Sequence, residues 1–186
     1  GPSVTTDYNP IGGNNNTSPA TITIYGGTYT ADADANRTPG SIEKLDSVIY
    51  APYNGTLTIY GGTFDSTSGK VSHALSLPYS TVNLTVNVYG GNFESAGSNI
   101  YYGAVSGSTD GRKLTISGGY FTSNPSDYLA SGKVAVVSDK DGYAYMVDTA
   151  VADNVKVVAG DTTVTEINTD SLTGTAKQDA ETANDM

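Results

Sequence analysis

Apolar and polar residues alternate along four short segments of this chain, and each segment runs into a pair of glycines. The segments are TITIYGGTY from Thr21, LTIYGGTF from Leu57, VNVYGGNF from Val86 and LTISGGYF from Leu114. A period of two is typical of a strand with one buried face, because successive side chains point to opposite faces of a sheet. The pattern therefore predicts four equivalent strands.

Alignment of the four segments on their glycine pairs places the apolar residues in two columns. The first column holds Ile22, Leu57, Val86 and Leu114, and the second holds Ile24, Ile59, Val88 and Ile116. A polar column stands between them, with Thr23, Thr58, Asn87 and Thr115. We expect both apolar columns to face inward and the polar column to face outward.

The spacing of the glycine pairs defines a repeat. The pairs begin at Gly26, Gly61, Gly90 and Gly118, at intervals of 35, 29 and 28 residues. Repeats of this length are typical of solenoids and propellers, but a propeller blade needs about 40 residues or more. A second strand signal occurs once per repeat, as SVIYAPY from Ser47, HALSLPY from His73 and YGAVSG from Tyr102. The sequence thus predicts an all-β fold: a short right-handed parallel β-helix, or β-solenoid, of about four coils.

Each glycine pair is followed two residues later by an aromatic residue, and together they predict a corner of the coil. A glycine is expected where the strand bends sharply, since it tolerates a positive φ and a close approach of another backbone. The aromatic residue is expected to turn inward and fill the corner. These residues are Tyr29, Phe64, Phe93 and Phe121.

The ends of a solenoid need cover, and the sequence indicates how each end is covered. KVAVV and YAYMV flank SDKDG, which predicts a hairpin that caps the C-terminal coil. We interpret residues 1–20 as an N-terminal cap or lead-in, 21–147 as the β-helix with its hairpin, and 148–186 as an acidic extension or a linker to a next module. The opening Gly1-Pro2 is typical of a protease-cleavage scar, which predicts that the native N-terminus has been removed.

The repeated GGTF strand ends, followed by NPSDYLASGK and a hairpin, resemble the GG-x-F β-helix repeat of large surface proteins of gut bacteria. The resemblance covers about residues 21–147 and implies an extracellular place, secreted or on the bacterial cell surface. A looser resemblance, through I-x-GG, is to β-helical carbohydrate-binding proteins of plant-cell-wall-degrading bacteria. Those proteins often carry paired Asp residues near calcium, whereas this chain has no Asp-Asp pair.

Composition narrows the classes of partner. The chain has a net charge of −10, which disfavours nucleic acid and anionic membranes. No apolar run approaches the ~20 residues that cross a bilayer, so we expect no membrane insertion. The absence of cysteine excludes disulfides and thiolate metal sites. From residue 148 onward the chain holds eight acids and two bases, which is over half of the net charge.

One outward position repeats an aromatic side chain and is the leading candidate for a ligand-binding site. Tyr25, Tyr60 and Tyr89 occupy this position, and Ser117 ends the row. Strands about 4.8 Å apart would stack these rings, and an exposed stack offers contact area to sugar rings or to side chains of a partner. The alternative interpretation is a ladder that stabilises the fold and binds nothing.

Two carboxylates also fall on equivalent positions. Asp65 and Glu94 directly follow Phe64 and Phe93, so neighbouring coils would bring them together. Such a pair is a weak candidate for holding Ca²⁺ or for glycosidase chemistry, and the alternative is two solvated turn residues. We expect no cofactor other than Ca²⁺ at this pair.

The remaining chemical candidates favour a non-catalytic chain. His73 is the single histidine, and no nucleophile and orienting acid can be paired with it from the sequence. DKDG, residues 139–142, imitates the start of a calcium loop but lacks the closing acid of an EF-hand. A polysaccharide lyase needs a base beside an acidic calcium cluster. The adjacent bases Arg112 and Lys113 follow a turn with Asp110 and are expected to lack a matching acid.

These patterns together predict an adhesin-like module that binds a glycan or a host protein and is joined to neighbouring modules of the same chain. A purely structural stalk or spacer is the first alternative. A calcium-dependent polysaccharide-active enzyme is the second.

Overall fold

The described part of the chain is all-β, with three sheets of mostly parallel strands and a single 3₁₀ turn at Ser126–Tyr128. The computed structural model describes residues 1–6, 10–12, 18–32, 47–66, 73–77, 83–103 and 110–150. In chain order the strands are β1 (Ser3–Thr6), β2 (Ala20–Ile24), β3 (Thr28–Ala31), β4 (Ser47–Tyr50), β5 (Gly55–Ile59), β6 (Thr63–Ser66), β7 (His73–Leu77), β8 (Leu84–Val88), β9 (Asn92–Ser95), β10 (Ile100–Tyr102), β11 (Arg112–Ile116), β12 (Tyr120–Phe121), β13 (Lys133–Val137) and β14 (Tyr145–Thr149).

Successive strands of the chain belong to the three sheets in turn. Sheet 1 has the order β11-β8-β5-β2, and sheet 3 has the order β10-β7-β4. Sheet 2 has the order β1-β3-β6-β9-β12-β14-β13. From β2 to β12 the chain passes from sheet 1 to sheet 2 to sheet 3 and back to sheet 1. Consecutive strands therefore lie in different sheets, and strands one repeat apart pair in parallel.

The columns predicted from the four glycine-pair segments are confirmed in sheet 1. Leu57 pairs with Ile22 on one side and with Val86 on the other, and Leu114 pairs with Val86 in turn. The second column is buried throughout, with exposed fractions of 0 to 5% at Ile24, Ile59, Val88 and Ile116. Thr58, between the columns, is partly exposed. Side chains from all three sheets form one apolar core.

Both predicted roles of glycine occur in the last three pairs, at different members. The second glycines, Gly27, Gly62, Gly91 and Gly119, have φ between 109° and 117°, a region that L side chains rarely adopt. From the second repeat on, the first glycine lies against the backbone of the preceding repeat. A Cβ on Gly118 would lie only 2.3 Å from the carbonyl oxygen of Tyr89. Close packing of neighbouring repeats therefore requires a residue without a side chain there.

The aromatic residues after the glycine pairs turn inward as predicted and form a buried stack. Ring centroids are 5.5 Å apart for Tyr29–Phe64, 5.1 Å for Phe64–Phe93 and 4.8 Å for Phe93–Phe121. The three phenylalanines are fully buried. Tyr29, at the end of the stack, is half-buried and donates its hydroxyl hydrogen bond to the Gly26 carbonyl at 3.0 Å.

Two of the three predicted second strands are confirmed in sheet 3, and the third predicted segment lies mostly outside the described residues. The segments from Ser47 and His73 form β4 and β7. The third strand is Ile100–Tyr102, so it ends where the predicted segment YGAVSG begins. Ile100 pairs with Leu75, as Ile49 does, and so continues the buried apolar column of sheet 3.

The predicted hairpin forms at one edge of sheet 2. β13 and β14 pair antiparallel, and β14 also pairs antiparallel with β12. The turn SDKDG begins directly after β13, with Gly142 at φ 87°. At the opposite edge β1 pairs in parallel with β3, so part of the predicted N-terminal lead-in is a strand of the same sheet. The predicted acidic extension lies outside the described residues from residue 151 on.

A buried asparagine organises the bend between β9 and β10. Asn99 is fully buried, and its side-chain amide donates to Ser95 Oγ at 2.6 Å and to Thr122 Oγ1 at 2.7 Å. Its side-chain oxygen accepts from the Ser123 amide at 2.8 Å. Because burial of an unpaired amide is costly, this full set of partners makes Asn99 a stabilising link between neighbouring repeats.

The inward column of sheet 1 generates a stability prediction. Ile59→Asp would place an unpaired charge in a site with no solvent exposure, and we expect it to lower the free energy of unfolding by about 4 kcal/mol or more. Thr58→Asp, one residue away on the outward column, should cost only about 1 kcal/mol. Thermal and urea unfolding of the two variants measure the difference, and equal losses would refute the inward and outward assignment.

Candidate ligand-binding surface

The three tyrosines at the ends of the first three sheet 1 strands form an exposed stack, which we call the tyrosine row. Ring centroids are 5.4 Å apart for Tyr25–Tyr60 and 5.3 Å apart for Tyr60–Tyr89, with interplanar angles of 7° and 15°. The exposed fractions are 78% for Tyr25, 51% for Tyr60 and 51% for Tyr89. The geometry predicted for these residues, stacked and outward, is confirmed.

The backbone beneath the tyrosine row is held firmly. Tyr60 donates its amide to the Ile24 carbonyl at 2.8 Å, and Tyr89 donates to the Ile59 carbonyl at 2.8 Å. On the other side, the Tyr25 and Tyr60 carbonyl oxygens lie against Gly61 and Gly90 of the next repeat. Exposed rings on a backbone fixed by the core have little backbone freedom left to lose on binding, which favours recognition.

The stacking decides which parts of the rings a ligand can reach. A ring inserted between two others needs about 7 Å, twice the optimal carbon contact distance, and the observed spacings are shorter. Both faces of Tyr60 are therefore covered by its neighbours. The row presents ring edges and hydroxyls along about 10 Å, and its most exposed ring is that of Tyr25, at one end.

The carboxylates Asp65 and Glu94 lie side by side on sheet 2, as predicted, since they pair in the register of β6 and β9. Tyr143, which directly follows the hairpin turn SDKDG, reaches the pair. Burial raises the pKa of Tyr143, and the nearby Glu94 and Asp65 charges and the hydrogen bond to Glu94 raise it further. Among the residues that the structure describes, no third His, Cys, Asp or Glu joins the pair to form a metal-binding group.

A lysine of the hairpin turn also contacts the outer face of sheet 2. Lys140 Nζ donates to Asn92 Oδ1 at 2.8 Å and lies 5.0 Å from the Tyr120 ring centroid and 5.4 Å from that of Tyr143. Burial, followed by Asp139 and Asp148, raises the pKa of Tyr120. Asp139, Lys140 and Tyr143 thus attach the hairpin to the repeats, which confirms a turn at DKDG.

The side chain of the single histidine contacts residues of the next repeat. His73 lies in β7, and its Nδ1–H donates to the Ser98 carbonyl at 2.6 Å. Its ring lies 5.1 Å from that of Tyr101. These contacts join His73 to the strand of the next repeat.

The expectation that Arg112 lacks a matching acid is wrong. Its guanidinium donates from Nε to Asp110 Oδ1 at 3.0 Å and from an Nη to Asp110 Oδ2 at 2.9 Å. It also donates to the Gly103 carbonyl and lies 4.3 Å from the Tyr102 ring centroid. The hydrogen bond from the Arg112 side chain lowers the pKa of Asp110. Arg112 has no side-chain exposure, so these contacts satisfy a buried charge.

The sequence-predicted candidates do not form one site. The tyrosine row follows the strands of sheet 1, whereas Asp65 and Glu94 lie within strands of sheet 2. Sequence reasoning missed Tyr143 as the partner of Glu94, because its approach depends on how the hairpin folds back. The sequence does indicate that Arg112 can pair with Asp110, because the two residues stand two positions apart at a turn.

Comparison of the chain with protein-family models, curated proteins and solved structures finds no match. Within the ranges that the structure describes, no helix has the length and apolar character needed to span a bilayer.

The environment of Tyr143 predicts a dependence of stability on alkaline pH. A phenol with a raised folded-state pKa stabilises the fold fully below the unfolded value of about 10, and this contribution is lost as pH rises above it. Tyr143→Phe removes the ionisable group, so stability should fall less between pH 10 and 11.5 than in the parent chain. Urea unfolding across this range is the measurement. An unchanged alkaline loss in the variant would contradict the assignment.

Proposed function

We propose that the repeats form a short right-handed parallel β-helix closed at its C-terminal side by the hairpin. Support comes from the rotation of the chain through three sheets and from parallel pairing of strands one repeat apart. The right hand is supported by the strong preference of parallel crossover connections. In this fold each repeat is one coil, and equivalent residues of successive coils stand above one another.

The module is non-catalytic and binds a glycan or a host protein through the tyrosine row. The observation that supports this function is the presence of three large rings, 51 to 78% exposed, side by side on a rigid backbone. Exposed tyrosines are favoured at interfaces because they combine an apolar body with a polar hydroxyl and have few torsions to order. A row about 10 Å long matches two sugar rings or one small protein hot spot.

The covered ring faces specify how such a ligand would lie. Along the middle of the row a ligand contacts ring edges and accepts or donates hydrogen bonds at the hydroxyls. A sugar ring can stack flat on the outer face of Tyr25, the most exposed ring of the row. Tyr60 therefore contributes through its edge and its hydroxyl, and Tyr25 contributes a ring face.

The module belongs to a bacterial surface or secreted protein and is joined to neighbouring modules. Support is the resemblance of its GG-x-F repeats to those of large surface proteins of gut bacteria. The net charge of −10 further favours partners other than nucleic acid and anionic membrane.

A structural stalk is the second candidate function, and the tyrosine row itself favours it. Each ring contacts its neighbour, so the row adds to the pairing of successive coils. In that case the exposed rings would be a ladder that stabilises the fold, and the acidic surface would serve solubility alone.

Substitution of the middle ring distinguishes the two functions. Tyr60→Ala should leave the melting temperature nearly unchanged and weaken a ligand, found in a screen of glycans and host extracellular proteins, by about 1–2 kcal/mol, or roughly 5- to 30-fold in Kd. Tyr60→Phe isolates the hydroxyl, and Thr58→Ala, on the same strand, is the matched control. Binding by isothermal titration and melting by calorimetry are the measurements.

The stalk would give the opposite pattern. Tyr60→Ala would then lower the melting temperature clearly and leave the affinity of every ligand unchanged. That result would replace the binding function with the structural one.

A further inference from the structure

In the first glycine pair, no described residue lies close enough to Gly26 to exclude a side chain there. In the later repeats a Cβ on the first glycine would meet the carbonyl oxygen of the preceding repeat, at 3.0 Å for Gly61, 2.6 Å for Gly90 and 2.3 Å for Gly118. Gly26 has nothing within 4 Å, and it is not among the residues with positive φ. Its place in the pattern is the one where a further strand would pack.

The strand before Gly26 has the other features of an open edge. β2 is the last strand of sheet 1, and the only strand pairing described for it is with β5. Ile22 is half-buried, whereas its partners along the column, Leu57 and Val86, are fully buried. Tyr25 has the most exposed ring of the row, because no described ring covers its outer face.

The amide of Tyr25 also points toward this edge. In each later repeat the residue at this position donates its amide to the preceding strand, as Tyr60 does to Ile24 and Tyr89 does to Ile59. By the same register the Tyr25 amide is directed to the side of β2 away from β5. No described strand lies there to accept it.

The N-terminal strand already occupies the place of a preceding repeat in sheet 2. Ser3 pairs with Thr28, and the Thr28 amide donates to the Pro2 carbonyl at 2.8 Å. The same bond, at 2.8 Å, joins Thr63 to the Gly27 carbonyl one repeat later. Gly1 and Pro2 therefore lie where the glycine pair of a preceding coil would lie. The sheet 1 strand of that coil has no counterpart in the described ranges.

We propose that the edge of β2 at which no described strand pairs is a strand-addition surface for a coil of the same repeat pattern, supplied by a neighbouring repeat module. The added strand runs parallel to β2 and carries apolar residues at alternate positions, which cover Ile22 and Ile24. Its last residue is aromatic, stacks on the outer face of Tyr25 and places its carbonyl oxygen against Gly26. This proposal rests on the register of the strands and not on the proposed ligand binding, but an added strand would cover the outer face of Tyr25 and so compete with a ligand that stacks there.

An added repeat strand tests the proposal directly. In the extended variant, Gly1-Pro2 is replaced by GTLTIYGG, a copy of residues 55–62. The second residue of the new pair is glycine because proline cannot adopt the positive φ found at Gly27. We expect the melting temperature to rise by at least about 4 °C and the Tyr25 amide to become protected from hydrogen exchange. The same extension with Ser at its Leu and Ile positions should give neither effect.

A matched pair of glycine substitutions provides the second measurement. Gly26→Ala should leave the melting temperature of the parent chain unchanged, because the position is open, and should abolish the gain in the extended variant. Gly118→Ala should lower the melting temperature of both chains, because its Cβ would meet the Tyr89 carbonyl at 2.3 Å.

Three results would overturn the proposal. The first is an equal gain from the apolar and the Ser-containing extensions, or no gain from either. The second is a loss in parent Gly26→Ala as large as that in Gly118→Ala. The third is a dimer of the parent chain in sedimentation that the extension dissociates, because the occupant of the edge would then be a second copy of this chain.

Discussion

The described structure depends on one constraint, which is that strands one repeat apart pair in parallel and in register. The register brings Leu57 between Ile22 and Val86 and continues through every strand of sheet 1. It is possible only because the first glycine of each later pair lets the preceding carbonyl approach. A single methyl group at such a position would push two neighbouring repeats apart and so disturb hydrogen bonds in more than one sheet.

In-register pairing places like residues above like residues, and this explains both aromatic stacks. Inside the corner, Phe64, Phe93 and Phe121 form a buried stack that contributes apolar burial to the core. Outside it, the same register produces the tyrosine row, whose rings are exposed although their backbone is as fixed as that of the core. An exposed aromatic surface therefore arises from the repeat without any loop of its own. The same stacking covers both faces of the middle ring, Tyr60, with the rings of its neighbours.

The period-two columns and glycine pairs were sufficient to predict the strands of sheet 1, the inward corner aromatics and the outward tyrosines. These features follow from local alternation and from repetition. The segment of β10 was not predicted, because it is only three residues long and its place is set by the pairing of Ile100 with Leu75, a contact between repeats. The contact of Tyr143 with Glu94 depends on the direction in which a hairpin folds back, which local pattern does not encode. The ion pair between the buried Arg112 side chain and the exposed Asp110 was not predicted, although the two residues stand two positions apart at a turn.

The central claim is that the tyrosine row is the surface through which this module binds its partner. Chemical nitration followed by peptide mapping, with and without a ligand obtained from the screen, tests it most directly. The account predicts that Tyr25, Tyr60 and Tyr89 react readily in the free protein, given their 51 to 78% exposure, and that bound ligand protects all three together. Protection of other tyrosines, with these three still reactive in the complex, would contradict it.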